Sequence, residues 1–171
     1  MSAAQPKTNV VLIGMPGSGK STVGVLLAKH LSRGFVDTDL IIQTNHGKTL
    51  QQIVDGAGHA ALLDAEEAAV RSLDVENHVV ATGGSVVYSA AGMAHLKAIG
   101  VLVYLATDLA TLEARVGDYT MRGLAKRPEQ TLADLFAERQ ALYEQYADVT
   151  VETAGLSHDA VCARVEAALD R

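Results

Sequence analysis

Short apolar, β-branched runs alternate along this chain with longer stretches of helical period. Val10-Val11-Leu12-Ile13 is too uniform for a strand with one wet face, so Asn9 to Ile13 predicts a strand buried on both faces. Ser21 to Leu31 spaces Val23, Leu26, Leu27 and His30/Leu31 as a helix does. Phe35-Val36 predicts a short second strand ending at Asp37. Thr49-Leu50-Gln51-Gln52 has the form of a capping box and starts a helix. Gly58 to Leu73 is a second helix of the same excursion, with Glu66 and Glu67 expected on its solvated face. His78 to Thr82 is the next strand, broken by Gly83-Gly84. A helix over Ser89–Ala98, a buried strand over Val101–Leu105 and a helix over Asp108–Val116 follow. Residues 117–130 are irregular; Thr131 then caps an amphipathic helix through Tyr146. Val149-Thr150-Val151 is a last strand and Ser157–Leu169 a last helix.

Buried strands alternating with helices predict an α/β fold, a five-stranded parallel sheet with helices on both faces. In such a sheet chemistry gathers outside the carboxyl ends of the strands. The strand ends here are Gly14, Asp37, Thr82-Gly83 and Leu105–Thr107. At the first of them, Gly14 to Ser21 satisfies G-x-x-x-x-G-K-[ST], between a strand and a helix. Glycines let backbone N–H groups approach phosphate oxygens, and the helix start adds a positive dipole end. Lys20 is expected to reach the β/γ-phosphates and Ser21 to offer its hydroxyl to Mg²⁺. Gly14, Pro16, Gly17, Ser18, Gly19 and Thr22 are the remaining candidates around the nucleotide.

Asp37-Thr38-Asp39 lies at the second strand end. Asp37 suits the water shell of a metal and Asp39 a substrate hydroxyl that must lose a proton. The competing assignment is a helix cap at Thr38 or Asp39. Arg139 falls inside the apolar stripe formed by Leu132, Leu135, Phe136, Leu142, Tyr143 and Tyr146. An inward guanidinium needs an anionic partner, either a buried carboxylate or a substrate anion. Arg115, Arg122, Lys126 and Arg127, with Gly117 and Gly123 among them, suit either a basic lid over phosphates or a solvated charged loop. Gly83-Gly84 suits either a ligand contact or a plain turn. Cys162 shares a helical face with Val165 and Leu169 and is expected in the core.

The bulk numbers narrow the class. The chain has 171 residues, 49% of them hydrophobic, with a formal net charge of −6. That excludes a disordered chain and argues against a nucleic-acid partner bound by a basic surface. No apolar run approaches a membrane span, and Met1 to Lys7 has no apolar core like that of a signal peptide, so a cytoplasmic protein is expected. One cysteine allows no intrachain disulfide, and the six histidines show no zinc spacing. A monomer or weak oligomer is expected.

Taken together, these motifs resemble the shikimate kinase family over almost the whole chain. Gly14 to Thr22 looks like that family's P-loop, and Asp37-Thr38-Asp39 like its D-[ST]-D. There the first Asp serves Mg²⁺ and the second the substrate hydroxyl. Ala81-Thr82-Gly83-Gly84 resembles its A-T-G-G-G, which implies that Gly83 and Gly84 contact substrate. Arg122 stands where the arginine of R-P-L-L would be, and Arg115 resembles the adenine-side arginine. Glu138 to Tyr143 followed by Ala147-Asp148 resembles E-R-x-P-L-Y…A-D, where the arginine grips the substrate carboxylate. The resemblance implies a nucleoside-monophosphate-kinase-like P-loop fold in a single domain over 1–171, with a substrate-binding helical segment at about 38–75 and a lid at about 117–131.

The chain departs from the family pattern in its substrate half. Where the family carries G-E-x-x-F-R-x-x-E, this chain has Gly58 to Glu66 with Leu62 for the Phe and Leu63 for the arginine. Ser85 replaces the third glycine, and the lid reads Arg122-Gly123-Leu124 without proline. His59 and Arg33 are the candidates to compensate for the lost arginine. The expected activity is transfer of the γ-phosphoryl of ATP to a hydroxyl of a small anionic metabolite, with ATP and Mg²⁺ required. Lys20, Asp39 and Arg122 carry catalysis in this expectation, and shikimate is the first acceptor to test. The alternatives are a different hydroxy acid or polyol, a nucleoside or nucleotide, or a nucleotide-binding regulatory module without catalysis.

Overall fold

The computed structural model describes residues 7–116 and 125–171. Five strands form one parallel sheet in the order β2-β3-β1-β4-β5. They are β1 (Asn9–Ile13), β2 (Gly34–Asp37), β3 (His78–Ala81), β4 (Gly100–Ala106) and β5 (Val149–Glu152). The helices between them are α1 (Lys20–Leu31), α2 (Thr38–His46), α3 (Leu50–Arg71), α4 (Ala90–Ile99), α5 (Leu109–Val116), α6 (Leu132–Tyr146) and α7 (His158–Leu169). The strands and most helix positions agree with the hydrophobic pattern. The two-part excursion before β3 is one run, α3, broken at Gly58, whose φ of 85° and ψ of 172° interrupt the helical path.

Side chains alternate across the sheet, so β1 to β4 each feed two cores, while β5 gives Val149 and Val151 to one and exposes Thr150 and Glu152. Val11 and Ile13 face one side, with Val70 of α3, Met93 and Leu96 of α4, Leu112 of α5, and Leu135 and Tyr143 of α6. Val10 and Leu12 face the other, with Val23 and Leu27 of α1 and Val161, Cys162 and Val165 of α7. Cys162 is therefore core, as its helical spacing predicts. A third cluster, built on Ile42 of α2, Ile53 and Leu62 of α3 and Ala125, lies apart from the sheet and fixes α2 and α3 to one another. Because β1 is central, with β3 on one side and β4 on the other, the crevice at their carboxyl ends is the place where this topology leaves room for a ligand.

The opposite end of the sheet is closed by one polar side chain. Asn9 is 2% exposed. Its amide donates to the carbonyls of Val75 at 2.7 Å and Ile99 at 3.0 Å, and its oxygen accepts from the His78 N–H at 2.9 Å. One residue thereby satisfies the chain ends entering β3 and leaving α4. Replacing it orphans two carbonyls and one N–H in a dry place. Asn9→Ala is expected to lower stability by roughly 2–4 kcal/mol. Urea unfolding checks this, with a lower midpoint at an unchanged slope as the expected result.

Candidate active site

The turn between β1 and α1 has a backbone open to glycine alone at several points. Gly17 has φ 82°, and a Cβ there would stand 2.5 Å from Val116 Cγ2. Gly19, at φ 95°, ends the turn and precedes α1. The turn is closed by the Ser18 N–H bonding to the Met15 carbonyl at 3.1 Å. Lys20 begins α1 and folds back over the turn, donating to the carbonyls of Gly14 at 2.7 Å and Met15 at 2.8 Å. Burial pulls its ammonium down to about 8, against the opposing pull of Asp39. The Ser18 hydroxyl is buried with no hydrogen-bond partner among the described residues. A cradle of free backbone, an orphaned hydroxyl and a mobile cation fits a polyphosphate.

The carboxylate pair at the end of β2 divides its work differently from the helix-cap alternative. Asp37, not Thr38 or Asp39, caps α2, accepting from the Asp39 N–H at 3.0 Å. Its other oxygen accepts from the Ser21 hydroxyl at 2.6 Å. This hydroxyl–carboxylate pair beside the phosphate cradle has the hard oxygen donors that Mg²⁺ takes alongside phosphate and water. Asp39 is spared from capping. Its Oδ1 is buried and has no hydrogen-bond partner among the described residues. Burial, reinforced by Asp37, pushes its carboxyl up to about 6, with Lys20 opposing.

Lys20, Asp39, Gly83, Gly84 and Arg139 line one cavity of about 330 Å³ at the β1/β3 edge. Thr82, after β3, donates its hydroxyl to the Leu12 carbonyl at 2.8 Å and locks the start of the Gly83-Gly84 turn onto β1. Tyr143 of α6 donates to the Gly84 carbonyl and stacks on Tyr104 with ring centroids 5.1 Å apart. Both glycines are required by close approach. A Cβ on Gly83 would collide with Glu66 Oε1 and stand 3.3 Å from Asp39 Oδ1. A Cβ on Gly84 would stand 2.7 Å from Pro16 Cδ and 3.1 Å from Arg139 Nη1.

Arg139 is inward, as the stripe on α6 predicts, at 1% exposure. No buried carboxylate among the described residues forms an ion pair with it. Its Nη2 donates to the Ala125 carbonyl at 2.8 Å, its Nε to the Tyr88 hydroxyl at 3.3 Å, and its Cζ sits 5.3 Å from the Tyr88 ring centroid. These contacts orient the guanidinium without neutralising it, so the structural ion pair is ruled out among the described residues. Arg115 lies exposed at the rim, with Nη1 3.3 Å from the Gly17 carbonyl. Arg122 falls outside the described residues, as do Gly117, Gly123 and the rest of 117–124.

One expectation is overturned. Glu66 does not lie on a solvated face: it is 5% exposed, lines the same cavity, and accepts from the buried Ser85 hydroxyl. The signal is present in the sequence. Glu66 is i+4 from Leu62 and i−4 from Val70, both buried, so it occupies the apolar stripe of α3 as Arg139 occupies that of α6. Glu67 does turn outward, accepting from Ser89 and pairing with Arg71. Leu63 lies outside the main cavity, on two smaller depressions that it shares with Tyr88, one of which also borders His59 and Lys126. Arg33 donates to the Thr8 carbonyl, at the far end of the strands, and so does not replace the lost arginine.

A P-loop at the switch point of a parallel sheet, facing a cavity with an unencumbered carboxylate and an unpaired guanidinium, defines a phosphotransferase of the nucleoside-monophosphate-kinase-like fold. Comparison with known proteins makes this narrower. The family model for shikimate kinase matches residues 16–170. A shikimate kinase of Vibrio vulnificus is 37% identical over 150 residues, covering 86% of this chain and 87% of that protein. One of Chromohalobacter salexigens is 40% identical over 147 residues, covering 84% and 82%. The solved structure of shikimate kinase from Acinetobacter baumannii in complex with shikimate superposes with a TM-score of 0.88 at 31% identity, covering 96% of this chain and 94% of that one. A thymidylate kinase from Candida albicans, at 16% identity and a TM-score of 0.56, shares the fold alone. The chain belongs to the shikimate kinase family and is an ATP-dependent phosphotransferase with an alcohol acceptor.

Burial pushes the Glu66 carboxyl up to about 7 from an ordinary 4.5; the Ser85 hydrogen bond opposes this and the Asp39 charge adds to it. An acid bound more tightly to its proton in the folded state stabilises the fold fully below the unfolded value. It loses that contribution as pH rises through the folded one. Stability is therefore expected to fall between pH 4.5 and about 7 on account of Glu66 and to level off above. Glu66→Gln has no proton to lose. At pH 8 it is expected to be more stable than the parent by on the order of 2 kcal/mol, and at pH 4.5 to show little of that gain. Urea unfolding of both proteins at the two pH values checks this.

Proposed function

We propose that the protein transfers the γ-phosphoryl group of ATP to a hydroxyl of shikimate. The observation that carries this reading is the convergence of Lys20, the free carboxylate of Asp39 and the unpaired guanidinium of Arg139 on one cavity. A site for nucleotide alone has no use for the last two. The complex of the Acinetobacter baumannii relative with shikimate supports the choice of acceptor.

In this proposal Gly14, Pro16, Gly17, Ser18, Gly19 and Thr22 surround the nucleotide phosphates with backbone and hydroxyl donors. Arg115 lies beside the rest of the nucleotide. Lys20 leaves the carbonyls of Gly14 and Met15 for the β/γ-phosphates, where its charge meets the charge that shifts during transfer. Ser21 and Asp37 are the residues that would hold Mg²⁺, which when bound would supply neutralisation of phosphate charge. Arg122 adds a second cation over the transferring group, by resemblance to the lid arginine of the family. Asp39 takes the acceptor hydroxyl as its hydrogen-bond partner, orients it in line and receives its proton. Gly83 and Gly84 let the acceptor ring approach the backbone, and Arg139 grips the acceptor carboxylate with two parallel N–H donors. Tyr88 and the Ala125 carbonyl aim the guanidinium ahead of acceptor binding.

ADP release with ATP, Mg²⁺ and shikimate tests the activity directly, and absence of turnover with shikimate but turnover with another hydroxy acid would overturn the acceptor. Asp39→Asn is expected to lower kcat by about 10²–10⁴-fold with both KM values little changed. Arg139→Lys is expected to raise the shikimate KM by about tenfold or more, since a point charge cannot reproduce the fork, and to leave the ATP KM unchanged. Steady-state kinetics of the two variants separate these roles.

A further inference from the structure

Glu66 and Ser85 meet at the inner wall of the acceptor cavity. Glu66 is buried there. Its one hydrogen-bond partner among the described residues is the Ser85 hydroxyl, and none of the ion pairs among them includes it. Leu63, one helical turn before Glu66 on α3, lies outside this cavity; it shares with Glu66 and Ser85 a neighbouring depression, to which it brings no charge. The groups facing Glu66 from the packed elements are Asp39 on α2, Lys20 on α1, Arg139 and Tyr143 on α6, and Ser85 and Tyr88 after β3. On its own helix, Glu67 turns away to Ser89 and Arg71. Once a nucleotide engages Lys20, the acceptor half holds one guanidinium and two carboxyl groups. With both carboxyls ionised it carries a net negative charge, which opposes an anionic acceptor.

We propose that Glu66 and Ser85 form a specificity-determining pair, in which a proton on Glu66 and the Ser85 hydroxyl fill the part that an arginine at position 63 would fill, so that the site takes its carboxylate-bearing acceptor with Glu66 in the acid form. The geometry gives the pair its place: the Glu66 carboxyl rests on Gly83, beside Asp39 Oδ1 and in the cavity that Arg139 closes. Ser85 is buried and donates to one carboxyl oxygen, which holds the Glu66 carboxyl at this wall. Burial places its ionisation close to neutral pH, which makes the exchange readable by kinetics. Leu63 and Ser85 are then linked departures. The first stands where the family resemblance expects a cation, in the depression behind Glu66, and the second supplies a partner for the Glu66 carboxyl.

The proposal rests on shikimate, or another carboxylate-bearing alcohol, being the acceptor. The test is the acceptor KM from pH 6 to 9 at saturating ATP and Mg²⁺, with shikimate as the probe. The parent protein is expected to hold a constant KM below about pH 7 and to lose affinity by about tenfold per pH unit above it. Shikimate's own carboxyl is ionised throughout this range. Glu66→Gln is expected to keep the low-pH KM across the range. Leu63→Arg is expected to flatten the profile as well, because a guanidinium beside Glu66 removes the need for the proton. Thermal melts at each pH verify that the variants are folded. A parent KM that does not change with pH, or a Glu66→Gln profile with the same slope as the parent, overturns the pair while leaving the acceptor assignment standing. No turnover with shikimate at any pH overturns both.

Discussion

Lys20, Asp39, Glu66 and Arg139 are drawn out of water at one edge of the sheet, and no two of them form a direct ion pair. Burial is the largest influence on each of them, lowering the proton affinity of Lys20 and raising that of the two acids. Such an arrangement costs stability and persists because the surrounding fold is stabilised elsewhere. The two apolar cores on either face of the sheet supply that stability, and the third cluster under α2 and α3 holds the acidic wall in place. The strand order decides where the charges meet, since β1 brings the phosphate cradle between the turn after β3 and the end of β4.

Neutral partners keep these charges oriented. Lys20 rests on two carbonyls, Arg139 on a carbonyl, a phenol and an aromatic face, and Glu66 on a serine hydroxyl. Each contact aims a side chain without forming an ion pair with it. Asp37 does the same for Asp39 by taking the helix cap upon itself, which leaves the Asp39 carboxylate free to face the cavity. The site is preorganised in direction and incomplete in charge, which is the condition under which a charged substrate gains most from binding.

The family likeness covers nearly the whole chain, yet the two halves of the site keep to it unequally. The phosphate half retains its motif from Gly14 to Ser21, while Leu63 and Ser85 stand where the family resemblance expects an arginine and a glycine. Both changed positions border Glu66: Ser85 donates to its carboxyl, and Leu63 shares a depression with it.

Much of this is legible in the order of the amino acids. Uniform apolar strands alternating with helices point to a parallel sheet covered on both faces, because such strands have no polar face to show to water. The P-loop is legible because its chemistry is local: the glycines, Lys20 and Ser21 act through the backbone of one turn. Arg139 announces itself by standing in an apolar stripe. Glu66 stands in one just as plainly, but the adjacent Glu67, which does face water, makes the pair read as surface acids. Pairing across distance is a different matter. That Asp37 rather than Asp39 caps α2, that Arg139 meets Tyr88 and Ala125 instead of a carboxylate, and that Ser85 reaches Glu66 nineteen positions away are all outcomes of packing. Local pattern sets which way a side chain points, because helix and strand periods are short-ranged. Whether a buried charge finds a partner depends on which elements the sheet order and the shared cores bring together, and only the tertiary structure fixes that.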